Sequence, residues 1–230
     1  MKLRVLSLIL AESSLELVPN AIASHPSVLK TARRRGKRPS DIVLDVSLHY
    51  QAMRRLRQRH KRGRPDIVHV VLLEALSSPL NIEGRLRIYI HTISDYVIRI
   101  DPLTRVPRNY NRFIGLMEQL LKEGRVPPNS EKPLMTAVSM SFTSLIEELG
   151  VEGVIALSEK GELARLSDIC VKALDEGLPV VVGGFPHGDF NEEVLAHAKY
   201  VYSIYPKPLD AWVVVSRIIS TCEKHLKILL

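Results

Sequence analysis

Short apolar runs rich in β-branched residues recur along this chain, and helical patterns fall between several of them. The runs lie at residues 4–10, 42–46, 85–91, 96–100, 153–157, 178–182 and 200–204. Helical periodicity marks residues 49–59, 66–76, 110–121, 167–175 and 209–226. Such alternation predicts an α/β protein with a mostly parallel sheet. The last three runs are short and continuously apolar, as strands buried on both faces would be. Residues 85–91 and 96–100 are separated by four residues and predict a β-hairpin, read as an insertion into a parallel fold. The tract at 124–133 (GRVPPNSEKP) reads as a linker.

Charge divides the chain in two. Residues 1–130 hold 23 Lys and Arg against 11 Asp and Glu, while residues 131–230 hold 9 against 14. The first part attracts phosphate and the second does not. Residues 30–64 carry 13 of the cations and only Asp41 and Asp45 as acids. A solvated helix face interleaves both signs, so this density points to a polyanionic partner, a nucleic acid or even a membrane surface.

A second basic stretch is residues 104–112 (TRVPRNYNR). Thr104 can cap a helix with Pro107 in its first turn. Arg108 and Arg112 would then share one face, with Arg105 just before the helix start. Three guanidinium groups at a helix N-terminus form an anion site. Either Tyr110 or Phe113 can stack on an unpaired base, although Phe113 reads as core. Asp66, in Arg64-Pro65-Asp66, opens a helix and can both cap it and hold Arg64 in place.

The run at 178–182 leads directly into a glycine loop, Gly183 to Gly188. Its spacing is that of a P-loop, but Asp189 stands where lysine is needed. The loop suits a ligand without phosphates. Two other loops, after 153–157 and 200–204, can converge with it at the carboxyl ends of the strands. Cys170 and Cys222 show no metal or disulfide spacing and read as separate buried thiols in a reducing, intracellular compartment. No metal site and no membrane span are expected; the apolar run at 3–11 is too short to cross a bilayer.

The blocks at 61–69 (KRGRPDIVH), 78–81 (SPLN), 89–92 (YIHT), 113–121 (FIGLMEQLL), 183–188 (GGFPHG) and 202–212 occur in order. With the arginine stretch they resemble the ribosomal-RNA small-subunit pseudouridine-N1-specific methyltransferases of the SPOUT, or alpha/beta-knot, class. The resemblance covers residues 18–226. It implies a single SPOUT domain over residues 1–230 with a deep C-terminal trefoil knot. Residues 36–125 would carry the RNA-binding insertion and residues 150–230 the knotted cofactor part. S-adenosylmethionine would be held by Leu157, Gly183, Gly188, Ser203, Ile204, Tyr205, Pro206, Lys207, Pro208 and Leu209. Arg64, Arg105, Arg108 and Arg112 would contact RNA, with Asp66 steadying Arg64. The resemblance further implies a homodimer, for which the apolar face of residues 212–219 offers a surface. It also implies cytoplasmic work in ribosome biogenesis. The loop at 205–208 carries one proline more than the family pattern. No general base is marked; Asp45 is a candidate that reads more readily as structural. Two other readings remain: a ribosome-assembly factor with secondary or lost methylation, and a SPOUT enzyme acting on a different base.

Overall fold

A computed structural model describes residues 4–229. Among the described residues eight strands form one sheet: β1 (Leu6–Ser13), β2 (Leu86–Thr92), β3 (Tyr96–Ile100), β4 (Arg125–Val126), β5 (Met135–Ser139), β6 (Val154–Leu163), β7 (Val180–Gly183) and β8 (Ala198–Ser203). Their order is β4-β5-β3-β2-β1-β7-β6-β8. The segment β2-β1-β7-β6-β8 is parallel, and β3, β5 and β4 continue it antiparallel.

Successive side chains of a strand point to opposite faces. Leu8 and Leu10 of β1 therefore enter one core, and Ile9 and Ala11 the other. The first core is covered by α3 (Pro65–Ser77), the short α4 (Pro79–Ile82), α5 (Tyr110–Glu123), α7 (Leu166–Glu176) and α9 (Ala211–His225). The second lies under α6 (Phe142–Leu149) and α8 (Glu192–Ala196). A satellite cluster joins α1 (Pro26–Arg35) to α2 (Val46–Met53).

Several sequence readings need correction. Residues 42–46 form no strand: only Val43 makes a bridge, to Leu17, because Asp45 caps α2 by accepting from the Ser47 amide at 2.8 Å. Helix α2 ends at Met53, short of the predicted 59. The tract at 124–133 is no free linker, since Arg125 and Val126 pair with Thr136 and Met135. The hairpin β2–β3 forms as expected, but it is part of the main sheet through the pairing of β1 with β2. Strand β8 is a half-exposed edge rather than a strand buried on both faces. Cys170 of α7 and Cys222 of α9 form a disulfide, with Cα atoms 5.6 Å apart. The pairing of two helices 52 residues apart left no mark in cysteine spacing. Val215, Ile218 and Ile219 of α9 are buried in the first core, so most of that apolar face is used internally.

The basic segment is less bare than its composition suggests. Arg35 and Lys37 both donate to Glu118 of α5, at 2.5 and 2.7 Å. Arg62 makes a two-pronged pair with Glu16, its Nε donating at 2.6 Å. Lys61 pairs with Glu12. All three carboxylates are 2% exposed. Removing one member of a buried pair leaves the other charge uncompensated. Glu118→Ala leaves the buried Val43 amide without its acceptor and Arg35 unpaired, while Lys37, 39% exposed, turns to water, so unfolding stability should fall by about 2 kcal/mol. A shift within about 0.5 kcal/mol in urea unfolding, the range of neutral surface changes, would show that the pairs anchor nothing.

Candidate functional site: a loop-lined pocket beside an arginine surface

The parallel strands β6, β7 and β8 lie side by side, and one pocket of about 290 Å³ is lined by Leu157, Ser158 and Glu159 inside β6, where its register with β8 shifts, and by the loops that follow β7 and β8. The loop expected after residue 157 is thus part of β6, which runs on to Leu163. Leu157, Gly183, Gly188, Ser203, Ile204, Tyr205, Lys207, Pro208 and Leu209 all line it. Of the ten cofactor residues read from the sequence, Pro206 alone is not among the lining residues. Sequence reasoning missed Phe185, Asp189, Phe190, Tyr202 and Val214.

Local geometry explains why glycine recurs in the loop. Gly188 has φ +103°, and a Cβ there would lie 3.2 Å from the His60 ring. A Cβ on Gly184 would meet Ser13 Oγ at 2.2 Å. That close approach lets the loop be stitched to the end of β1: the Gly184 amide donates to Ala11 O, and the Ser14 amide donates to Gly184 O, each at 2.8 Å. On the other side, Ser203 Oγ donates to Tyr205 O at 2.8 Å and shapes the loop after β8.

Leu157, Val182, Leu209 and Val214 supply apolar walls, and loop backbone supplies polar edges. Two carboxylates, Asp189 and Glu159, line the pocket together with Lys207. Burial would raise the pKa of Asp189, but the Phe190 amide, the Ser158 hydroxyl and Lys160 outweigh burial and hold it below its ordinary value. An ionised aspartate repels phosphates and favours a cationic group. Apolar walls beside two carboxylates suit a nucleoside carrying a positive charge, which is the chemistry of S-adenosylmethionine.

Arg64 stands next to this pocket. Its amide donates at 2.8 Å to Ser14 Oγ, and Ser14 in turn holds Gly184. Its guanidinium forms a fork with Asp66, Nε to Oδ1 and Nη2 to Oδ2, both 2.8 Å. That fork, then the charges of Asp66, Asp210 and Tyr110, raise the Arg64 pKa although burial opposes it. Asp66 thus orients Arg64, as expected. Its expected capping role is absent, since α3 has no side-chain cap hydrogen bond.

The arginine stretch differs from its predicted form. Helix α5 begins at Tyr110, and Asn109 is its cap, accepting from the Arg112 amide at 3.1 Å. Thr104 is buried and donates to Leu134 O at 2.9 Å. Arg105 and Arg108 are therefore exposed in the loop before α5, and only Arg112 is helical. They do not share a helix face. The loop is nonetheless held, because His69 Nε2 lies 2.7 Å from Pro107 O. Phe113 is core and stacks on His69 with ring centres 4.3 Å apart. Tyr110 is no free stacking platform: its hydroxyl donates to Asp45 Oδ2 at 2.7 Å, and burial and that carboxylate raise its pKa. Asp45, engaged by Tyr110 and Ser47, is structural.

Comparison with known proteins agrees with this geometry. The model of the EMG1/NEP1 methyltransferase family matches residues 8–223. A ribosomal RNA small subunit methyltransferase Nep1 from Staphylothermus marinus is 52% identical over 96% of this chain and 96% of its own length. The protein of the same name from Saccharolobus solfataricus is 48% identical over 96% of this chain and 98% of its own. The crystal structure of Archaeoglobus fulgidus Nep1 bound to S-adenosylhomocysteine superimposes with a TM-score of 0.83 at 37% identity, covering 97% of this chain and 98% of that one. The chain belongs to the EMG1/NEP1 methyltransferase family.

Proposed function

We propose that this protein transfers the methyl group of S-adenosylmethionine to N1 of a pseudouridine in small-subunit ribosomal RNA, as part of ribosome biogenesis in the cytoplasm. The observation that carries the reading is the pocket itself: three adjacent parallel strands and the loops after β7 and β8 line it, and Arg64 is tied to its wall through Ser14. A solved relative was crystallised with S-adenosylhomocysteine, the product such a transfer leaves.

When bound, S-adenosylmethionine supplies a methyl group already activated by its sulfonium charge. Leu157, Gly183, Gly188, Ser203 to Tyr205 and Lys207 to Leu209 would hold it, with Asp189 as the anion facing the positive centre. N1 of a pseudouridine carries a weakly acidic proton, which would pass to solvent before N1 takes the methyl group and S-adenosylhomocysteine leaves. Arginines facing the base favour its deprotonated form, and placement supplies much of the remaining rate. The exposed Arg105, Arg108 and Arg112, with Arg64 held by Asp66, would clamp RNA phosphates. The target base must be turned out of its loop to reach the pocket.

The same reading assigns residues 36–125 to RNA and residues 150–230 to a knotted cofactor part within a single domain. Strand β6 lies between β7 and β8, so the chain crosses β6 on its way to the edge, which suits a trefoil knot. A homodimer would cover the edge strand β8, beside which Leu163 is 65% exposed.

Mass spectrometry of a small-subunit rRNA fragment incubated with protein and S-adenosylmethionine should show a methyl group on pseudouridine and none on a fragment with uridine in its place. Equal methylation of both refutes the pseudouridine specificity. Arg108→Glu should abolish binding of the fragment and leave S-adenosylhomocysteine binding unchanged. An unaltered RNA affinity with an unaltered salt slope would remove Arg108 from the interface.

A further inference from the structure

The mechanism leaves one buried cation without a task. Lys61 is 3% exposed, although Arg54, Arg55, Arg57, Arg59 and His60 just before it are exposed. Its ammonium donates to Glu12 and, at 3.1 Å, to Asn191 Oδ1, and lies 4.5 Å above the centre of the Phe185 ring. Glu12 completes the link. Its other oxygen accepts from the Asn191 amide at 2.6 Å, and its own amide donates to His91 Nδ1 at 3.4 Å. Glu12 adopts φ 49°, a conformation side chains rarely take. Gln58 also donates to Asn191 Oδ1, at 3.1 Å.

Phe185 and Gly188 line the pocket on their other side. The glycine loop is thus gripped between the cofactor pocket and the basic segment at residues 58–61. A buried ammonium with its lone carboxylate partner costs desolvation that a pair of apolar residues would avoid. Plain stability therefore does not account for it.

We propose that Lys61 is a positioning residue that couples the RNA-binding segment to the cofactor loop, so that each ligand strengthens the binding of the other. The proposal rests on the assignment of RNA to the basic segment and of S-adenosylmethionine to the pocket. RNA phosphates on Arg54, Arg55, Arg57 and Arg59 order the segment that carries Lys61. Lys61 then fixes Phe185, Asn191 and Gly188 in the arrangement the cofactor needs. Ordering paid for by one ligand need not be repeated for the other, and the effect is reciprocal.

The test measures affinity for a labelled rRNA fragment by anisotropy, with and without saturating S-adenosylhomocysteine. In the unaltered protein, S-adenosylhomocysteine should tighten RNA binding about 5- to 10-fold. In the double variant Lys61→Met/Glu12→Gln, which leaves no lone buried charge, that factor should fall to about 1, the value for uncoupled sites. Lys61→Arg should restore it. A purely structural pair would change thermal stability and leave the factor as it was, which overturns the proposal. So does a factor of about 1 in the unaltered protein that binds both ligands. Failure of the unaltered protein to bind either ligand would instead sink the functional assignment. Amide hydrogen exchange on the unaltered protein gives an independent check should the double variant not fold. RNA alone should slow exchange at residues 184–191, and S-adenosylhomocysteine alone should slow it at 56–62. No change at either segment contradicts the coupling.

Discussion

Three buried carboxylates hold this molecule's basic half against its sheet. Glu12 and Glu16 come from β1 and the turn after it, and Glu118 from α5. Each meets cations from residues 35–62. Ion pairs of this kind add little net stability, because desolvation offsets their attraction. Their effect is specificity of placement: any other docking of the segment leaves a carboxylate buried and unpaired. The charge of the segment is thereby sorted. Arg35, Lys61 and Arg62 are engaged inside the fold and Lys37 is paired at its surface, while Arg33, Arg34, Arg54, Arg55, Arg57 and Arg59 remain exposed and unengaged by these carboxylates.

The end of β1 is where the two halves meet. Within four residues, Ala11 O and the Ser14 amide stitch the glycine loop, Glu12 receives Lys61, and Ser14 Oγ receives the Arg64 amide. Parallel sheets place ligands at the carboxyl ends of their strands. Here one strand end serves the pocket on one side and the arginine surface on the other. A methyl donor and a turned-out base need such a shared border, since misplacement by about 1 Å costs orders of magnitude in rate.

Much of this was legible in the sequence, for reasons that follow from periodicity and chemistry. The apolar runs at β1, β2, β3, β6, β7 and β8 mark a sheet, and an aspartate in place of the P-loop lysine marks a pocket that refuses phosphates. The rest depends on contacts between distant residues. Strand β4 has only two residues and β5 borders a proline-rich tract, so neither carries a period. Thr104 and Asn109 are both good caps. Asn109 wins because Thr104 is drawn into a hydrogen bond with Leu134, 30 residues away. Tyr110 and Asp45 are 65 residues apart, and nothing local says that one consumes the other. Acids inside the apolar stretch around β1 were the one available signal. Glu12 stands where a core strand should carry no acid and Glu16 just after it, and they mark the partners of Lys61 and Arg62.

Calorimetry with S-adenosylhomocysteine tests the account most directly, because the pocket is its centre. One molecule should bind per chain. Gly188→Val, which forces a side chain at φ +103° toward the His60 ring, should weaken that binding by at least about 10-fold, roughly 1.4 kcal/mol. No heat of binding at millimolar S-adenosylhomocysteine, or equal affinity in the variant, would contradict the assignment of the pocket.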